Sequence, residues 1–217
     1  MHRIVCQGYQ NLNAQRCKLS AVRSDRAELG QSGDHDRGAH DRRPRAERRA
    51  WQTRAMELGV HFRLTDAEAA RVREAAGDDE RLGAVLAELE ADDEVWARAC
   101  ETDKAWDPIA CAIAPAGESG EWPARGVIGG ARALQQDDDE SWVTHLDPGE
   151  AAEVADYLAG LDDAAFAAAY AEMPEELRNP EFGPDEQEYA LAMLAGLRPF
   201  FEAARREGQH VVFTVGF

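Results

Sequence analysis

Nowhere in this chain do apolar residues run on for the roughly 20 positions that a membrane-crossing helix needs, and Arg3 has no apolar stretch behind it that would make a secretory signal. The expected compartment is therefore cytoplasmic, with no membrane contact. Cysteine is scarce as well. Cys6, Cys17, Cys100 and Cys111 are too few and too unevenly spaced for a disulfide framework, and Cys100 and Cys111 read as reduced, mostly buried thiols within helical patterns. The chemical signatures of common enzymes are missing: there is no GxGxxG, P-loop or HExxH, and Gly117-Glu118-Ser119-Gly120 lacks the spacing of a nucleophile elbow. The glycines from Gly126 to Gly130 follow no strong strand and carry no lysine, which argues against a phosphate cradle. The expectation is no cofactor and no metal.

Base is in short supply relative to acid, but unevenly so. The 217 residues hold 24 Lys+Arg against 42 Asp+Glu, a net charge of −18; residues 1–55 carry +6 of it, leaving −24 on residues 56–217. The first 55 residues have no hydrophobic period from which a helix face or a strand could be built, and they end in Asp41-Arg42-Arg43-Pro44-Arg45-Ala46-Glu47-Arg48-Arg49. They read as a disordered basic arm, of a composition that cannot form a core. They also resemble GC-rich sequence read out of frame, so Met56 is the expected true start. The remaining 162 residues suffice for a single domain burying roughly 70% of the surface of its unfolded chain.

Within 56–217 the periods alternate between strand and helix. Val60, Phe62 and Leu64 alternate with His61 and Arg63 as in a half-buried strand, and Thr65-Asp66-Ala67-Glu68 forms a capping box for a helix reaching about Ala76. Leu82, Val85, Leu86 and Leu89 repeat at helical spacing, and Val95, Trp96 and Ala99 suggest a further short helix. Thr102 is expected to cap a helix that begins Asp103-Lys104-Ala105-Trp106-Asp107-Pro108, with acids in its first turn. The segment 115–139 reads as a loop-rich connection. Trp142 to Leu146 returns to strand period, and Asp147-Pro148-Gly149-Glu150 places an N-cap, a first-turn proline and an N3 glutamate in one tetrapeptide. A long helix over about 185–206 and an apolar strand from Val211 to Val215 close the chain; the apolar run argues for a central strand.

Asp103 through Ile109, the apolar turn Val127-Ile128-Gly129-Gly130, the step from Leu146 to Glu150, and the helix and strand from Tyr189 to Val215 together resemble the YfbM-like family of small bacterial proteins, a domain of unknown function. The resemblance covers 56–217 and none of 1–55. One departure is Asn179-Pro180, where the family tends to carry an aromatic before proline. The resemblance implies a single α+β domain, with several helices packed on a small sheet that includes adjacent N- and C-terminal strands; it implies no activity, cofactor or catalytic residue.

Candidate site residues are few. The run Asp137-Asp138-Asp139-Glu140 lacks the turn glycine and distant glutamate of an EF-hand loop and reads as a solvated acidic loop. His61, His145 and His210 all lie in strand patterns without local metal-ligand spacing. The constellation with chemical promise is Asp103, Lys104, Trp106 and Asp107 together with His145. A tryptophan between carboxylates and an ammonium could hold a polar small molecule, with His145 as acid or base; the alternative is that Trp106 anchors the core and its neighbours serve the helix end. The preferred functional expectation is a non-enzymatic, acidic binding or regulatory protein acting on a basic protein partner, since such a surface repels nucleic acid and attracts cations. The competing expectation is a small-ligand binder or enzyme around Trp106, Asp107 and His145.

Overall fold

The computed structural model describes residues 58–116, 120–136, 142–178 and 183–215. The arm of 1–55, the acidic run Asp137–Glu140 and the Asn179-Pro180 turn lie outside the described residues.

Five strands form one fully antiparallel sheet: β1 (Gly59–Leu64), β2 (Ala99–Asp103), β3 (Arg132–Ala133), β4 (Trp142–Leu146) and β5 (His210–Val215), in the order β2-β1-β5-β4-β3. The first and last strands are direct neighbours, with Gly59 opposite Val215 and Leu64 opposite His210. As its apolar run requires, β5 is central and buried along its whole length.

Strand alternation gives the sheet two different faces. One presents Phe62, Leu64, Val143 and Val212 to a small layer of α1 (Asp66–Glu74), α2 (Asp79–Glu90) and α3 (Asp93–Trp96). The other presents Trp142, Leu146, Val211, Phe213 and Val215 to a larger layer of α4 (Trp106–Ile113), α5 (Gly126–Gly129), α6 (Pro148–Gly160), α7 (Asp163–Glu172) and α8 (Glu186–Glu207). The result is a single α+β domain of eight α-helices on a five-stranded sheet among the described residues.

The caps legible in the sequence form as expected. Thr65 and Asp147 each make a reciprocal capping box, with Glu68 and Glu150 respectively, and Pro148 occupies the first turn of α6. Gly208 adopts a left-handed φ of 62° and ends α8.

Three expectations are corrected. Ala99 does not extend the short helix of Val95 and Trp96; it opens strand β2, so Cys100 is a strand residue. Thr102 caps no helix: it is buried in β2, where its hydroxyl donates to the carbonyl of Gly59 at 3.0 Å and ties two neighbouring strands together. Helix α4 begins only at Trp106, after Asp103 has turned the chain with a φ of 49°, a conformation that Asp tolerates better than most residues. The third concerns the loop-rich stretch 115–139, which contains the helical turn α5 and the short strand β3.

Gly59 explains how α4 docks. A Cβ there would sit 2.7 Å from Trp106 Cδ1 and 2.8 Å from Thr102 Oγ1, so the missing side chain is what lets the indole lie against β1.

Candidate functional site

Trp106 is wholly buried, its ring 5.8 Å from that of Trp142 and 6.2 Å from that of Phe213. It anchors the large helical layer and is not open to a stacking ligand. Around it the start of α4 gathers a polar cluster with α7 and α8. Asp103 accepts the Lys104 amide at 2.8 Å, and the same amide lies 3.3 Å from the hydroxyl of Tyr189 on α8. Burial, and then the Asp103 carboxylate, push the Tyr189 phenol upward. Tyr170 on α7 donates its hydroxyl to Glu186 on α8 at 2.6 Å, and Glu186 is itself buried. Burial, then Glu186, raise the Tyr170 phenol as well.

Asp107 completes the cluster. Burial raises its carboxyl to about 6, with the Glu186 charge adding to the effect and the bond from Cys111 Sγ at 3.7 Å opposing it. A folded-state value above the unfolded one means that the ionised carboxylate destabilises the fold, fully once pH exceeds about 6, whereas below about 3.8 both states are protonated and the effect vanishes. Asp107→Asn is therefore expected to raise stability by about 1–2 kcal/mol at pH 7 and to leave it unchanged near pH 3.5, as read by urea unfolding at both values. Equal effects at both pH values would show that burial does not raise this carboxyl above its ordinary range.

His145 does not join this cluster. Along β4, Trp142 and Thr144 face α4 and α5 while Val143 and His145 face the opposite side, so the sheet itself stands between His145 and Trp106. The five candidate residues thus divide into Asp103, Lys104, Trp106 and Asp107 on one side and His145 on the other.

On its own side His145 belongs to a chain of hydrogen bonds running from Arg132 through His210 to Asp66. Arg132 Nη1 lies 2.9 Å from His145 Nδ1; His145 Nε2 lies 3.1 Å from His210 Nδ1, and His210 Nε2 lies 3.1 Å from Asp66 Oδ1. A guanidinium only donates, so His145 Nδ1 must accept. His145 then carries its proton on Nε2 and gives it to His210, which carries its own on Nε2 toward Asp66. Both tautomers follow from one end of the chain. Burial holds His145 down to about 4, and the neighbouring His210, Arg132 and Arg73 act in the same direction.

His61, on the other sheet face, is wholly buried among Phe200, Phe201 and Phe213. Its Nε2 donates to the Val127 carbonyl at 3.0 Å, and burial lowers it to about 4.

Glu186, Tyr170 and the His210–Asp66 link were not singled out from sequence. One usable signal existed: Glu186 lies on the same stripe of α8 as the buried Ala190, Leu194, Leu197 and Phe201, and a carboxylate on an apolar stripe marks a buried polar contact. Among the described residues no group of three His, Cys, Asp or Glu could hold a metal ion, and no helix is long and apolar enough to cross a membrane.

No curated protein matches the chain. Among solved structures, the crystal structure of a protein of unknown function, YfbM from Escherichia coli, is similar to it at a TM-score of 0.54 and 15% identity, over 73% of this chain and 99% of that one. At that identity the likeness speaks for the fold. Residues 56–214 match the domain of unknown function DUF1877, nearly all of the span over which strands and helices are described, and the chain therefore belongs to that family.

Proposed function

We propose that the domain is a non-enzymatic binding or regulatory protein of the cytoplasm that takes a basic protein partner on its acidic surface. The observation that carries this reading is the concentration of charge on the small helical layer. Residues 78–94, covering α2 and the first residues of α3, hold eight carboxylates against the single base Arg81, and six of the eight are exposed. Trp96 follows at once, 43% exposed, where most large apolar side chains of the domain are buried. Carboxylates beside an accessible indole suit Lys or Arg side chains, which pair with the first and stack on the second.

Such an encounter weakens with salt, because exposed charges are screened over about 10 Å at 0.1 M ionic strength. The test is co-purification from the native host at low salt, with the triple variant Glu80→Lys, Asp93→Lys, Glu94→Lys as control. A basic protein that is captured by the native chain, released by salt and lost with the variant is the expected result. Recovery of none, or equal recovery with the variant, would leave the acidity as a means of staying soluble.

A second reading, a small-ligand binder or enzyme at the start of α4, is favoured by one observation: the raised carboxyl of Asp107 beside Glu186, since carboxyls titrating near neutrality concentrate at functional sites. Its acid–base partners would be Glu186 and Tyr170 in place of His145. Ligand-dependent thermal stabilisation that Asp107→Asn removes would support it.

A further inference from the structure

Between α5 and β3 lies a cavity of about 200 Å³ lined by Arg125, Gly129, Ala131, Arg132 and Ala133. Two arginines on one small cavity stand out in a domain whose overall charge is strongly negative. Each is held in place by bonds that leave donors over. Arg132 Nη1 is fixed by His145 Nδ1 at 2.9 Å, while its Nη2 meets Glu150, with Asp147 Oδ2 at 3.8 Å. Arg125 Cζ lies 5.4 Å from the centroid of the Trp122 ring, and its Nη1 reaches the Gly130 carbonyl at 3.4 Å. Trp122 is in turn held by a bond from its Nε1 to Glu153. Among the described residues Arg125 has no carboxylate partner.

A guanidinium has five N–H donors and is always charged, so both residues keep donors for a further acceptor. Gly130 stands in sequence between the lining residues Gly129 and Ala131 at a φ of 60°, and a Cβ there would lie 2.6 Å from Thr144, so only glycine can turn the chain this tightly over β4. Two guanidinium groups that line one cavity, one of them without a carboxylate partner among the described residues, form an arrangement suited to an oxyanion.

We propose that this cavity binds a small oxyanion of the carboxylate or phosphate type between Arg125 and Arg132. The site is separate from the acidic layer, and the proposal stands without the basic-partner reading. The domain's negative field repels anions at a distance, so binding rests on direct contact and falls in the millimolar range. An anion that engages Arg132 also alters what His145 Nδ1 accepts, and so it reaches the imidazoles of His145 and His210, which a merely adjacent binder would leave unmoved.

The experiment titrates the full chain with inorganic phosphate, with succinate, and with sodium chloride at matched ionic strength, following the thermal midpoint and the imidazole resonances of His145. The expected result is a midpoint rise of about 3 °C at ten times Kd, with a shift of the His145 signals, for phosphate, succinate or both. Which of the two acts identifies the class of anion. Arg125→Gln, which leaves the Arg132–His145 bond intact, should abolish both changes while keeping the native far-ultraviolet circular dichroism. Retention of the rise in Arg125→Gln, an equal rise with sodium chloride, or no response into the tens of millimolar would each overturn the proposal.

Discussion

Trp106→Ala is expected to lower the unfolding free energy by about 3–5 kcal/mol, the range for removing a large aromatic from a close-packed core. The ring is wholly buried beside Trp142 and Phe213 and lies against the space left by the absent side chain of Gly59, so its removal opens a large cavity in the core. Against a total stability of about 5–15 kcal/mol for a domain of this kind, such a loss is a large share. Trp106→Phe, which keeps an aromatic surface, should lose about half as much. Urea unfolding of both variants reads the effect. A loss under about 1 kcal/mol for the alanine variant would mean that the indole is not the anchor of the large helical layer.

Acidification from pH 6.5 to 4 should cost the domain about 3 kcal/mol through His61 alone. In the folded state the imidazole titrates at about 4, against 6.5 in the unfolded chain, because its wholly buried site disfavours the charged form. Between those values the unfolded chain binds a proton that the native state refuses. Stability is thus fully present above about 6.5 and falls as pH drops toward 4. His145, also lowered to about 4, adds a loss of the same sign, while Asp107, raised to about 6, opposes it. His61→Gln keeps a side-chain donor for the Val127 carbonyl but does not titrate. It should flatten the dependence of the unfolding free energy on pH across this window, and an unchanged slope would remove His61 as its cause.

What could be read from sequence was whatever short-range chemistry dictates. The boxes at Thr65 and Asp147 need only residues three apart, and the strand period of Val60, Phe62 and Leu64 needs only its own alternation. The failures share a different cause. Thr102 is ambiguous in sequence because a hydroxyl followed by acids is equally good as a helix cap or as a buried donor to a neighbouring strand, and only the presence of Gly59 across the β1–β2 pair decides between them. His145 and Trp106 both carry useful chemistry, and nothing in their local sequence tells them apart as members of one site. Which face of a sheet a strand residue occupies relative to a distant helix is set by tertiary packing, and no spacing along the chain encodes it. The link between His210 and Asp66 joins residues 144 apart, beyond the reach of any local pattern.

The position of β5 bears on how the chain is made. It is the middle strand of the sheet, pairing with both β1 and β4, yet it lies last in the described sequence. During synthesis β1 and its helices emerge early without the strand that should lie beside them, and β4 likewise waits for the same partner. The exposed edges of both are surfaces on which a nascent chain can pair wrongly, so the period before residue 215 leaves the ribosome is when this protein most needs protection from its neighbours. Closing a contact between Gly59 and Val215 also gives the domain a large share of distant pairings, the property that goes with slow folding.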